Sequence, residues 1–221
     1  DSGKVVQMVR LHDGTAEVVQ TLTHPEPASG HDFGYDLAIS GDTLAVSDTA
    51  YACSAGAECG AVFIFVRRDE RWEFDARIDS PVPTRRDEFG EKLALEDDTL
   101  VVQSAGKRPG VVEAGLLDVF EREEGVFRHR QALQPAGLPR RAAFGEALSI
   151  SGDTILAGAS RDTLDGVVVG GAYVMKRGET GWTQDARLVD PTQQRLGTTV
   201  AIHGDMWLVR DYLDADVGHA D

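Results

Sequence analysis

The chain has 221 residues, 42% hydrophobic and 27% charged, with 24 glycines and few aromatics, the balance of a folded protein and not of a disordered one. Its formal net charge of −15 sets it against phosphate backbones, whose binding needs clustered Lys and Arg, so nucleic acid is excluded as a partner; simple solubility is the plainer account of the acidity, with an electrostatic role in choosing a partner as the alternative. No apolar run approaches the ~20 residues that span a bilayer, so no membrane insertion is expected.

From the N-terminus, the first segment, GKVVQMVRLHDGTAEVVQTLTHPEP from Gly3, is a pair of strand-like runs whose place emerges only from the rest of the chain. The next unit opens at Phe33 with FGYDLAISGDTLAVS: an alternating run, a Gly-Asp turn and a second run. Gly-Asp and Asp-Asp pairs tolerate the positive φ of primed turns, so such a stretch predicts a hairpin. The loop after it, YACSAGAECGA, holds both cysteines, Cys53 and Cys59. Two cysteines so close, in a loop rich in Ala, Gly and Ser, suit a local disulfide in an oxidising compartment, with two free thiols in a reduced protein as the alternative. A zinc site is disfavoured there, because it wants four ligands and no His or second Cys pair is near in sequence. A third strand, GAVFIFVRR from Gly60, and a fourth, RWEFDARI from Arg71, lead to a Pro-bearing connection.

The pattern then recurs. FGEKLALEDDTLVVQ from Phe89, FGEALSISGDTILAG from Phe144 and LGTTVAIHGDMWLVR from Leu196 align with the Phe33 stretch without a gap. Third strands return as GLLDVFERE from Gly115 and GAYVMKRGE from Gly171, fourth strands as GVFRHRQAL from Gly125 and GWTQDARL from Gly181. A repeat of this length changes the whole fold assignment. The last copy stops after its second strand, and the opening segment matches the missing strands three and four. The reading is an all-β propeller of four four-stranded antiparallel blades in a single domain, 1–221. The blades span about 33–88, 89–143, 144–195, and 196–221 plus 1–32, the last closed by both termini. Sixteen strands and almost no helix are expected. Closing the ring removes exposed sheet edge; a piece of a longer array, or an eight-bladed ring of two chains, is the alternative.

These copies resemble bacterial FG-GAP repeats, related to those of integrin α-subunit propellers. The Phe-Gly pair stands at Phe33-Gly34, Phe89-Gly90 and Phe144-Gly145 and becomes Leu196-Gly197. The Gly-Ala-Pro element survives only as Gly158-Ala159-Ser160, and is elsewhere Ser47-Asp48-Thr49, Ser104-Ala105-Gly106 or Arg210-Asp211-Tyr212. The resemblance covers the whole chain and is specific for fold but not for activity, since members serve as adhesion, ligand-binding and spacer domains. With the cysteine pair, it implies an extracellular, cell-surface or periplasmic setting. Integrin-like copies carry a calcium motif between strands one and two; here that loop is a two-residue turn in every copy, so calcium is not carried over and no cofactor is expected. Asp211, Asp214, Asp216 and Asp221 form a weaker calcium candidate, for which a solvated acidic loop is the plainer reading.

No catalytic constellation emerges, and the chain is read as non-catalytic. His12, His24, His31, His129, His203 and His219 are scattered over different copies, with no pair at ligand spacing on one strand, and read as surface histidines. Trp72, Phe127 and Trp182 take equivalent places at the start of strand four and read as packing between blades. Phe33, Phe89, Phe144 and Leu196 do the same, with glycine partners that let backbones approach closely. The long loops after strands two and four fall on one face and the short turns on the other. Arg86, Arg141 and Arg195 reach the loop face as candidate ligand-binding residues, a ring of cations suited to carboxylates or sulfated sugars, with surface salt bridges as the alternative. Two functions are consistent with this layout: a recognition module binding a protein or carbohydrate through that face, or a spacer or homo-oligomerisation unit of a larger surface protein.

Overall fold

A computed structural model describes residues 5–106, 110 and 112–211. Among the described residues there is no helix, and no helix long and apolar enough to cross a membrane. The chain opens with the hairpin β1 (Val5–His12) and β2 (Thr15–Thr23). Three four-stranded antiparallel meanders come next. The first is β3 (Phe33–Ser40), β4 (Thr43–Asp48), β5 (Ala61–Arg68) and β6 (Arg71–Asp79). The second is β7 (Lys92–Glu96), β8 (Thr99–Ser104), β9 (Leu116–Glu123) and β10 (Val126–Leu133). The third is β11 (Phe144–Ser151) and β12 (Thr154–Ala159), then, past a two-residue hairpin of β13 (Thr163–Leu164) and β14 (Val167–Val168), β15 (Ala172–Gly178) and β16 (Gly181–Leu188). The hairpin β17 (Thr199–His203) and β18 (Met206–Arg210) ends the described chain. Setting β13 and β14 aside as a loop hairpin, the described residues form sixteen strands, in three four-stranded sheets and two separate hairpins.

Local chemistry explains each meander. Gly41, Asp97, Gly152 and Gly204 open the turn between strands one and two with φ between 49 and 58°, the left-handed conformation a two-residue hairpin needs and which Gly and Asp supply most readily. Strands β4, β8 and β12 are buried on both faces along their whole length, so they read as unbroken apolar and small runs and not as an alternation. Strand β6 alternates instead, showing water one side.

The sheets stack face to face. β3 lies against β7, β7 against β11 and β11 against β17, so the first strands line up along the inside and the fourth strands form the outer edges. Phe33, Phe89 and Phe144 are fully buried at the three sheet interfaces. Their backbones are tied in too: the N–H groups of Phe89, Phe144 and Leu196 donate to the carbonyls of Cys59, Ala114 and Val169 in the preceding sheet, at 3.0, 2.7 and 3.0 Å. Gly60 and Gly115 sit beside those bonds, and a Cβ on either would lie 2.1 or 2.0 Å from the carbonyl oxygen of Phe89 or Phe144. Glycine is required there by contact.

At the two ends the stack is incomplete. β1–β2 and β17–β18 are separate two-stranded sheets. The first superimposes in sequence on β5–β6, with its register shift at Met8/Val9 where β5–β6 has one at Ile64/Phe65. The second corresponds to β3–β4, with His203 opposite Met206 as Ser40 is opposite Thr43. By sequence the two hairpins correspond to strands three and four and to strands one and two of the repeated meander; in the structure they stand as separate sheets. Each leaves apolar side chains in water: Val9 and Leu11 on β1, and Met206 and Leu208 on β18, the last two 70% and 71% exposed. Leu37 and Ile39 on β3 are also exposed, whereas their equivalents Leu93 and Leu95 are buried under the preceding sheet.

Candidate functional site

The long loops gather at one end of the stack. Arg86 and Glu88, in the loop after β6, donate their N–H groups to the carbonyls of Ala57 and Glu58 in the loop after β4; Arg141 does the same to Glu113 one sheet on. Loops after strands two and four therefore interlock, as the meander predicts. Cys53 and Cys59 are joined by a disulfide with Cα atoms 5.8 Å apart, and Cys59 is fully buried. Asp211 is described, but Asp214, Asp216 and Asp221 of the acidic stretch lie outside the described residues.

The three arginines are not equivalent. Arg86 and Arg141 each stand three residues before a Phe-Gly pair, with φ of 61 and 62°; Arg195 directly precedes Leu196, the place taken by Glu88 and Ala143 in the other copies. Arg86 pairs through Nε with Glu58 at 2.9 Å on the surface. Arg141 lines a cleft of about 250 Å³ together with Arg161, Glu88, Glu91 and Glu113. Arg195 is exposed.

A second cluster on this face combines residues read from the sequence as separate. His24 follows β2, His31 lies in the loop before β3, and Asp48 ends β4. His24 Nε2 is 3.1 Å from Asp48 Oδ2, His31 Nδ1 is 3.0 Å from the same oxygen, and the two ring nitrogens are 2.9 Å apart. Asp48 is fully buried and His24 is 6% exposed, which corrects the surface reading of that histidine: it is enclosed by Phe33, Phe63 and Tyr51, the Tyr51 ring stacked 6.1 Å away. His129 is exposed, as that reading expects, with its Nε2 lying 2.8 Å from the buried carboxylate of Asp118.

The cluster is held from behind. Asp48 Oδ1 accepts from the N–H groups of Asp32 at 2.8 Å and Ala50 at 3.1 Å, and the Glu26 N–H donates to His24 Nδ1 at 2.8 Å. That last bond places the proton of a neutral His24 on Nε2, facing Asp48. Burial pushes the Asp48 carboxyl up, against the pull of both imidazoles; burial and then the adjacent His31 ring push His24 down. Beside it the Tyr51 hydroxyl donates to Glu26 Oε2 at 2.7 Å, and Arg77 spans Glu26 and Asp79. The Tyr51 bond, ahead of the Arg77 charge, holds the Glu26 carboxyl below its usual range. Tyr51 and Arg77 also wall a neighbouring cleft of about 280 Å³ that reaches the disulfide.

Sequence periodicity could not assemble this cluster, because its members come from three different segments. One signal was present: the position of Asp48, opposite Phe33, is Ala159 in the copy where it stands opposite Phe144. A buried carboxylate where another copy keeps a small apolar side chain marks a departure from the repeat that packing alone does not require.

Stacked antiparallel meanders with interlocked loops on one side define an all-β repeat module with propeller-like blades. Residues 17–65 and 132–175 each match the model of the FG-GAP repeat. Each match runs from strand four of one sheet to strand three of the next, so the family unit straddles two sheets. No curated protein is significantly similar to the chain.

Proposed function

We propose that the chain is a non-catalytic recognition module of an extracellular, cell-surface or periplasmic protein, and that it binds a protein or carbohydrate through the face bearing the loops after strands two and four. The observation that carries this reading is the interlocking of those loops by backbone hydrogen bonds from Arg86, Glu88 and Arg141, which presents variable segments on a rigid scaffold. FG-GAP modules are generally involved in binding, and the disulfide suits an oxidising compartment. In the same reading the fourth blade is completed by β18 pairing with β1, which would cover the apolar side chains left exposed at both ends.

Arg86, Arg141 and Arg195 contribute the cationic part of the face. A screen of the purified chain against protein and sulfated or carboxylated glycan ligands, read by thermal shift, should find binders, since ligands of the native state raise its stability. Alanine at all three arginines should then weaken a confirmed ligand at least tenfold, about 1.4 kcal/mol. Unchanged affinity, or a ligand mapped to the short-turn face, would remove the loop face as the binding site.

A further inference from the structure

We infer that His24 Nε2, His31 Nδ1 and Asp48 Oδ2 form a binding site for a divalent transition ion of the zinc class. The three atoms stand 2.9, 3.0 and 3.1 Å apart. Ligands of a tetrahedral zinc at about 2.0–2.1 Å are separated by ~3.3 Å, so a slight spreading of this triangle seats the ion. Hydrogen bonding explains the triangle poorly. Asp48 Oδ2 faces two imidazole nitrogens at once, and those nitrogens are closer to one another than either is to the oxygen. If both carry protons, two N–H groups crowd a single acceptor; if only one does, a lone pair faces the carboxylate. One cation in place of the protons satisfies all three atoms.

The donor set selects the ion. Two imidazoles and a single carboxylate suit zinc, cobalt, nickel or copper, whereas calcium and magnesium call for a cage of oxygens. Three protein ligands leave a fourth position for water or for an anionic group of an incoming molecule. His31 keeps part of its side chain in solvent, 13% exposed, which gives the ion a way in. The ligands are also oriented from outside, Asp48 by the Asp32 and Ala50 N–H groups.

One contact opposes loading. A neutral His24 that ligates through Nε2 carries its proton on Nδ1, where the Glu26 N–H now donates. Binding therefore displaces that bond, which should weaken the site by roughly tenfold and put its dissociation constant in the micromolar range. The site does not depend on the arginine face, so failure of either reading leaves the other standing.

The test is calorimetric titration of the tag-free, chelator-stripped chain with ZnCl2 alone, in parallel with CaCl2. The expected result is one equivalent of zinc taken up, no comparable calcium binding, and a Tm rise of roughly 5–10 °C at a hundredfold excess over the dissociation constant. His31→Ala removes a partly exposed ligand and should lower zinc affinity at least thirtyfold, while His203→Ala, on β17, should not. Cobalt should give the visible absorption of a four-coordinate site in the parent chain and lose it in His31→Ala. No zinc uptake at micromolar concentrations, uptake that His31→Ala leaves unchanged, or uptake with several equivalents and no cobalt spectrum would each overturn the site.

Discussion

Glu91 shows how the stacking acts on single side chains. It stands between Gly90 and β7, half-buried beside the cleft that Arg141 lines. Burial, then the charge of Glu88, raises its carboxyl above the usual carboxylate range against the bond to Gln103. A carboxyl with a raised pKa in the folded state favours the protonated fold, so as pH falls through that value the native protein takes up the proton before the unfolded chain does. Stability is gained on that descent and levels off below the unfolded value near 4.5. Glu91→Gln should therefore raise Tm at pH 7.5 and leave it nearly unchanged at pH 4. A larger gain at pH 4 would contradict the burial of the charged form. At this scale the sequence was legible where one residue type has one use, as with Phe33, Phe89 and Phe144 in the sheet interfaces. His24 was not legible, because a histidine's partners are set by which loops meet, and His31 and Asp48 reach it only after β3 and β4 have paired.

The elements owe their mutual placement to a few repeated contacts as well as to apolar burial. Gln20 and Gln131, on strand four of alternate sheets, each clamp the backbone of the next fourth strand: Gln20 bonds both the N–H and the carbonyl of Trp72, and Gln131 those of Trp182, at 2.8–2.9 Å. Trp182 is buried in one cluster with Val101, Leu117 and Leu133 of the preceding sheet, which agrees with its reading as interblade packing, and the Arg177 guanidinium of its own sheet lies 4.8 Å from its ring. The close approach at Gly115 is the most demanding of these contacts. Gly115→Ala would drive a methyl group into the Phe144 carbonyl at φ +100° and should cost on the order of 3 kcal/mol or more in urea unfolding. Gly125→Ala, also at positive φ but with nothing within 4 Å, should cost only about 1 kcal/mol. Similar losses at the two positions would show that conformation and not contact sets the requirement. The disulfide is a lesser element, since it closes only a short loop; replacing both cysteines by serine should cost about 2 kcal/mol and leave the sheets folded.

For the whole molecule, repeat spacing made the three complete meanders and both half-meanders legible, because every copy uses the same turn chemistry and the same inward faces. Pairing between the first and last strands was not legible in the same way, since it depends on how the inter-sheet rotations accumulate, and no single repeat encodes their sum. The exposed Leu37, Ile39, Val9, Met206 and Leu208 are the physical argument that the two half-meanders belong together: burying each such side chain is worth about 1.5–3 kcal/mol. The complete sheets also set the register. Ala45 on β4 faces Ile64 on β5, and the residues at those places in the half-meanders are Leu208 and Met8. Cysteines at both positions, Met8→Cys with Leu208→Cys, would stand at a distance a disulfide can bridge only if β18 pairs with β1. The decisive measurement is therefore non-reducing electrophoresis and mass spectrometry of that double variant after mild oxidation. Four blades closed on themselves predict a cross-link within one chain, formed in near-quantitative yield in the monomer. A monomer with both new thiols free, or a cross-link found only between chains, would contradict the closed ring.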